Sequence, residues 1–384
     1  MVSLVEKAKC CGCQACLNAC PVGALHMETD EEGFLYPRID EQRCVECKSC
    51  VAVCPVLNRP LNHPWKTVFA AYAADESERM SSSSGGVFAV LAKAVFAEGG
   101  EVCGAAYRDD VSVHHVLIEE TGRLPELKGT KYIQSSTDQV FSEVKDHLGS
   151  GRQVLFSGTP CQVAGLRAFL GRDWDNLLCV DLICHGVPSP AVWQDYLHEL
   201  SPTDPIVKAA FRYKKENSEG ALIRFERISG QELEEKQSDN LYMKGFLQNC
   251  YVRPSCFDCQ FKGLERCSDI TIGDFWSIRE FYSEFADKYG NSAVIVHSEK
   301  GKRWLERALP DLRMIPATEK EVLLWNECMV DSVKKTEKRD AFYARWHQEA
   351  LLDILSELTA KEAPQETKKS LLSKIKSGMK RILK

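Results

Sequence analysis

No stretch of this 384-residue chain is apolar over the length of a membrane span, and residues 1–9 hold no apolar core of the kind a secretory leader needs. The expectation is therefore a cytoplasmic chain without a signal peptide. In that reducing compartment a cysteine is a metal ligand more often than half of a disulfide. Basic residues are also in deficit. Lys and Arg number 49 against 55 Asp and Glu, a formal net charge of −6. Such a deficit argues against nucleic acid as a partner, because phosphate binding needs surplus cations. The deficit is uneven, however. Over 366–384, Lys368, Lys369, Lys374, Lys376, Lys380, Arg381 and Lys384 stand against one acid, Glu366. Leu371, Leu372, Ile375, Met379, Ile382 and Leu383 fall on the opposite face. This tail is expected to form a basic amphipathic helix that lies on an anionic membrane surface, or else to be solvated or docked on another subunit.

Cysteine is what the chain has in excess: 18 in all, nine of them within residues 10–54. Cys10, Cys13, Cys16 and Cys20 precede Pro21; Cys44, Cys47, Cys50 and Cys54 precede Pro55. Each run reads C-x2-C-x2-C-x3-C-P, the spacing of a two-cluster bacterial ferredoxin. Two residues between ligands let a tight loop point three sulfurs inward, and the fourth cysteine, past the loop, reaches the other cluster. The spacing assigns Cys10, Cys13, Cys16 and Cys54 to one 4Fe-4S cluster, and Cys44, Cys47, Cys50 and Cys20 to the second. Cys11 is surplus. Zinc, which takes two CxxC pairs across a longer gap, and disulfides, which need an oxidising compartment, both fit these runs poorly.

Between the runs, 24–28 and 34–39 read as strands around a turn at 30–33. Residues 59–64 read as a linker. Strands are expected at 67–74, 101–107, 113–118, 153–156, 177–184, 269–275 and 293–297, and an antiparallel pair at 209–215 and 221–229. Helices are expected at 87–97, 138–148, 163–170, 191–200 and 241–249, and mostly helical structure from 302 onward. Alternating buried strands and helices imply a parallel sheet whose strand-end loops share one edge. Cys161 and Cys184 each follow such a strand, so they should approach each other. The run Ser81 to Gly86 opens the 87–97 helix. It is either an anion cradle at a helix N-terminus or a plain capping turn. Lys128, Lys131 and Tyr132 could hold a phosphate and stack on a ring, or form a solvated turn.

Four stretches together resemble the beta subunit of coenzyme F-420-reducing hydrogenase and its dehydrogenase relatives. They are Ser83-Ser84-Gly85-Gly86-Val87, residues 128–132, Gly158-Thr159-Pro160-Cys161-Gln162, and Arg253-Pro254-Ser255-Cys256 with Cys259 running into Asp269 to Trp276. The resemblance implies FAD and 4Fe-4S chemistry. It makes Ser84, Gly85 and Gly86 flavin-phosphate contacts, and Lys128, Lys131 and Tyr132 catalytic or cofactor contacts. It also implies a third 4Fe-4S cluster on Cys161, Cys184, Cys256 and Cys259, with Cys250 and Cys267 in reserve. A zinc site of Cys250, Cys256, Cys259 and Cys267 is the alternative. Cys103, Cys179 and Cys328 read as core residues.

The expected architecture is an α/β core domain with a mixed, partly parallel sheet over 66–300, preceded by a small α+β bacterial-type ferredoxin domain over 1–58. A helical part over 301–363 and the basic tail over 364–384 follow. The expected function is that of an iron–sulfur flavoprotein oxidoreductase. It would pass electrons between ferredoxin-type clusters and a two-electron substrate or deazaflavin-like carrier through FAD. Its partner would be a redox protein or a small-molecule donor or acceptor. Two alternatives belong to other classes. One is an electron-transfer subunit with no substrate of its own. The other is a nucleophilic enzyme using Cys161 at a helix start.

Overall fold

The computed structural model describes residues 2–64, 67–216 and 220–360; the basic tail over 364–384 lies outside them. No helix among the described residues is long and apolar enough to cross a membrane.

The expected N-terminal hairpin is present as β1 (Leu25–Thr29) and β2 (Leu35–Ile39), paired antiparallel between the two cysteine loops. The main sheet holds eight strands: β3 (Thr67–Ala73), β4 (Glu101–Tyr107), β5 (Val113–Ile118), β6 (Val154–Gly158), β7 (Leu177–Leu182), β11 (Ile270–Asp274), β12 (Ser292–Val296) and β13 (Leu312–Ala317). Their order is β13-β3-β12-β11-β7-β6-β4-β5. The inner run β4, β6, β7 and β11 is parallel, and the flanking pairs are antiparallel. The mixed, partly parallel sheet is therefore as the sequence implies.

Helices cover both faces, and strand periodicity shows why. Leu155, Leu178 and Val180 pack on one side with the helices Val87–Ala97 and Glu299–Ala308. Their neighbours Val154, Phe156, Leu177 and Cys179 pack on the other with Val140–Gly149 and Pro160–Leu170. Successive strand residues point to opposite faces, so strands sandwiched by helices must be apolar throughout.

A second sheet, β8 (Ile206–Tyr213), β9 (Leu222–Arg227) and β10 (Glu232–Lys236), is antiparallel in the order β10-β9-β8. Its apolar face meets Trp193 and Tyr242, with Leu351, Ile354 and Leu355 from the C-terminal helix Leu351–Thr359. The span 301–363 is thus not a separate helical part. β13 closes one edge of the main sheet and the last helix completes the second core. The helical expectation for this span missed β13 because Leu312–Ala317 carries a proline, which only an edge strand tolerates. β10 escaped notice for a similar reason: Glu232, Glu234 and Glu235 make it read as a polar turn.

The N-terminal unit does not hang on a tether. Asn18 Nδ2 donates to the Asp138 carbonyl (2.7 Å), Thr137 Oγ1 to the Cys13 carbonyl (2.9 Å), and Ser189 Oγ to the Glu32 carbonyl (2.8 Å). Arg339 grips the Glu32 carboxylate with both arms of its guanidinium. At the hairpin turn Gly33 has φ +79°, and a Cβ there would lie 2.5 Å from Ala191 Cβ and from Ser189 Oγ. Gly33→Ala is therefore expected to destabilise the chain by about 1–3 kcal/mol through strain and overpacking. Thermal unfolding of the variant against the parent measures this.

Candidate functional site

Each cysteine loop turns on a residue with left-handed backbone, Gln14 (φ 61°) in the first and Lys48 (φ 61°) in the second, and each runs into a single helical turn. This bend lets three sulfurs of one loop face a common point. The sulfurs of the two loops lie close together, Cys16 having Cys10, Cys54 and Cys50 as neighbours. Burial pushes the Cys16 thiol up to about 12, helped by the neighbouring Cys10 and Cys54 sulfurs. Burial also raises Cys50, whose sulfur neighbours are Cys20 and Cys47. An apolar cavity bounded by Leu4, Val5, Met27 and Val51 is lined by six cysteines, Cys10, Cys11, Cys13, Cys16, Cys50 and Cys54. The second set differs in exposure: Cys47 is open to solvent and Cys44 half-buried. There the Ala24 amide donates to Cys20 Sγ at 3.2 Å. Cys10, Cys13 and Cys50 are thus buried, whereas Cys47 faces outward.

Cys11 is not idle. It is buried, and its thiol is within hydrogen-bonding reach of both Cys13 and Cys161. The first cysteine set therefore lies against the edge of the main sheet. The helix Pro160–Leu170 makes room for it: a Cβ on Gly165 would lie 2.9 Å from Cys13 Sγ. A glycine inside a helix costs about 1 kcal/mol relative to alanine, and close approach of the cysteine loop is the physical reason for it here.

Cys161, after β6, and Cys184, after β7, do approach each other, and Cys256 and Cys259 join them. Burial raises the Cys184 thiol, and the sulfurs of Cys256, Cys161 and Cys259 raise it further. Burial pushes Cys256 up to about 12, with Cys161 and Cys259 again its sulfur neighbours. The reserves stand elsewhere. Cys250 is packed with Tyr251 and Phe246, and Cys267 lies beside Asp181 and Cys179. The zinc set of Cys250, Cys256, Cys259 and Cys267 is therefore not assembled. Among the described residues no three cysteine sulfurs lie within 4.8 Å of one another. A tetrahedral zinc with bonds of about 2.3 Å draws its sulfurs to within about 4 Å. The nucleophile reading of Cys161 also fails. Its hydrogen bond with Cys11, then burial, push the thiol well up, whereas an activated nucleophile needs it pulled down. Cys103 and Cys179 are core residues as expected, but Cys328 is only half-buried.

The serine–glycine loop and residues 128–132 meet at the same sheet edge. Lys128 Nζ donates to Ser81 Oγ (2.6 Å) and pairs with Glu78, and the Thr130 amide donates to Ser83 Oγ (2.6 Å). Ser84, Gly85 and Gly86 are occupied otherwise. Ser84 Oγ donates to the Asn291 carbonyl (3.0 Å) and the Gly85 amide to Ser292 Oγ (3.0 Å). A Cβ on Gly85 would lie 2.6 Å from the Ala71 carbonyl oxygen, so this glycine lets the loop lie flat on β3. Gly86 (φ +85°) supplies the turn that starts Val87–Ala97.

Two residues that sequence reasoning missed, Lys214 and Arg212, complete this corner. Lys214 Nζ donates to the Arg79 and Ser84 carbonyls, both at 2.8 Å. Arg212, at φ 55° in a bulge of β8, forks onto Asp274 and lies 5.1 Å from the Trp276 ring centroid. A bulge re-aims the side chain it carries, and no local pattern announces one. Among the described residues neither Lys131 nor Lys214 has a carboxylate in salt-bridge range, and burial draws them down to about 7 and about 8. Tyr132, its phenol raised by burial, stacks toward Phe246 (5.6 Å). Phe246 meets His185 (5.0 Å), the residue after Cys184. Rings thus connect the lysine corner to the third cysteine set.

Comparison with known proteins gives two family matches. Residues 151–320 match the family described as the C terminus of the beta subunit of coenzyme F420 hydrogenase/dehydrogenase, and residues 9–58 match the 4Fe-4S dicluster domain. No curated protein matches. Among solved structures, a chain of the xenon-derivatised F420-reducing [NiFe] hydrogenase complex from Methanosarcina barkeri is similar, at 16% identity and a TM-score of 0.46. The match covers 75% of this chain and 94% of that one.

The lysine corner is expected to bind anions more weakly as pH rises. Lys131 is charged below about 7 and Lys214 below about 8, so each loses its attraction above that value. Sulfate, which does not titrate in this range, should bind more tightly at pH 6 than at pH 8.5. The change from Lys131 is at most about tenfold per pH unit. Titration calorimetry on the parent and on Lys131→Met, where only the dependence due to Lys214 should remain, checks it.

Proposed function

We propose that this iron–sulfur electron-transfer chain, which joins a 4Fe-4S dicluster domain to the C-terminal region of the beta subunit of the coenzyme F420 hydrogenase/dehydrogenase family, is a flavoprotein oxidoreductase. It would exchange electrons with a redox partner protein at the N-terminal unit, and with a two-electron substrate or deazaflavin-like carrier at the lysine corner. The carrying observation is the continuity of the sites. The set on Cys44, Cys47, Cys50 and Cys20 adjoins the set on Cys10, Cys13, Cys16 and Cys54. Cys11 then touches both Cys13 and Cys161.

The donor sets suit iron–sulfur centres. Each is four thiols, and among the described residues no three cysteine sulfurs are drawn as close as zinc would draw them. We assign the third set, Cys161, Cys184, Cys256 and Cys259, to a third 4Fe-4S centre. The lysine corner suits an anionic cofactor, because Lys131, bonded to the Lys128 and Gly129 carbonyls, and Lys214, bonded to the Ser84 carbonyl, each lack a carboxylate in salt-bridge range among the described residues. FAD is the group proposed for it, with phosphate contacts from Lys131, Lys214 and the Ser81–Ser83 side of the loop. Bound, such groups supply one-electron relays and a flavin that trades one electron for two. The chain's own contribution is position: the ring sequence Tyr132, Phe246 and His185 keeps the corner dry and fixes it beside Cys184.

Anaerobically prepared protein should contain iron and sulfide for three centres, about twelve iron atoms per chain, together with flavin. Cys161→Ala should lose about four irons while retaining flavin. It should also slow flavin reduction from the N-terminal unit by at least about tenfold, read by stopped-flow absorbance. Flavin reduction at the parental rate would remove Cys161 from the route.

A further inference from the structure

Arg253 is fully buried, and among the described residues no carboxylate lies in salt-bridge range of it. Its guanidinium donates to neutral acceptors only: Nε to the Cys10 carbonyl (2.8 Å), Nη1 to Gln134 Oε1 (2.9 Å) and Nη2 to the Leu35 carbonyl (3.1 Å). The guanidinium carbon lies 4.2 Å from the Tyr36 ring centroid and 5.3 Å from that of Phe34. An arginine cannot shed its proton, so a buried one demands negative charge nearby. The groups able to supply it are the sulfurs of Cys10, whose carbonyl Arg253 bonds, and of Cys256, whose amide donates to the Arg253 carbonyl (3.0 Å). Gly12, at φ +70° between Cys11 and Cys13, leaves room for this approach. A Cβ there would lie 2.9 Å from the guanidinium carbon.

We infer that Arg253 is the shared counter-charge of the first and third cysteine sets. It is a positioning residue that holds the N-terminal unit in register on the sheet edge and makes both centres easier to reduce. The shared role rests on the proposal that Cys161, Cys184, Cys256 and Cys259 hold a third centre. Each centre gains one negative charge on reduction, and a fixed cation in a low-dielectric interior favours that state. Gln134 ties the arrangement together. Its amide nitrogen donates to the Cys11 carbonyl (3.1 Å) while its amide oxygen accepts from Arg253. Lys262 offers an internal contrast. Its ammonium donates to the Cys184, His185 and Cys328 carbonyls, beside the third set and away from the first.

The test uses the full-length, anaerobically reconstituted chain, with iron quantified before each dithionite titration followed by paramagnetic resonance. Arg253→Met with full iron content should lower the midpoint potentials of the first and third centres and leave the exposed second centre unmoved. Lys262→Met should lower that of the third alone. Arg253→Lys, which keeps the charge but not the fork, should recover most of the shift. If Arg253→Met loses iron, Arg253→Lys decides: a potential near the parental value supports the inference, and one lowered as far as in an iron-retaining Arg253→Gln chain overturns it. Unchanged potentials in an iron-complete Arg253→Met chain, or an equal shift in all centres, also overturn it. Iron for only two centres in the parent would instead sink the third-centre reading, and the shared role with it.

Discussion

Thiolates buried near one another repel, and the molecule is arranged around that repulsion. Burial and neighbouring sulfurs hold Cys16, Cys54, Cys184, Cys256 and Cys259 above the ordinary thiol range. A metal must displace those protons before it can bind, so metal affinity and folding are linked. On the chain's side, Arg253 bonds the Cys10 carbonyl and Lys262 the Cys184 carbonyl, so each sets a cation beside a cysteine. Placing buried cations without carboxylates is costly in itself. It becomes sensible only where anionic groups are to sit beside them.

The same constraint orders the sites from outside to inside. Cys47 is exposed, and its hydrogen bonds with Ser49 lower its thiol pKa. The first set is enclosed by apolar side chains, and the third lies at the end of the parallel strands. One segment spans this series. Lys128 and Thr130 meet the serine loop, Tyr132 faces the aromatic chain, Gln134 touches Cys11, and Ser136 meets Gln14.

Much of the fold could be read directly. Val87–Ala97 was legible because its apolar residues recur at helical spacing, and the strands of the main sheet because they are short and apolar throughout. β13, β10 and the bulge at Arg212 were not, since an edge strand, an acidic strand and a bulge each lack the periodic signal of a buried element. The packing of Ser84, Gly85 and Gly86 was not legible for a different reason. A glycine needed for packing against β3 looks the same in one dimension as a glycine needed for a phosphate.

The amino-acid sequence alone determined the ferredoxin-type unit, because ligand spacing within a tight loop is a local property: two intervening residues set where three sulfurs can point. It also determined that buried parallel strands would bring their end loops to one edge. Only the tertiary structure decided which distant cysteines join Cys161, that Cys11 stands between Cys13 and Cys161, and that Arg253 lies between two of the sets. These depend on how the N-terminal unit seats on the sheet edge. That seating is set by side chains 120 or more residues apart, such as Asn18 with Asp138 and Arg253 with Cys10, whose meeting no local pattern records.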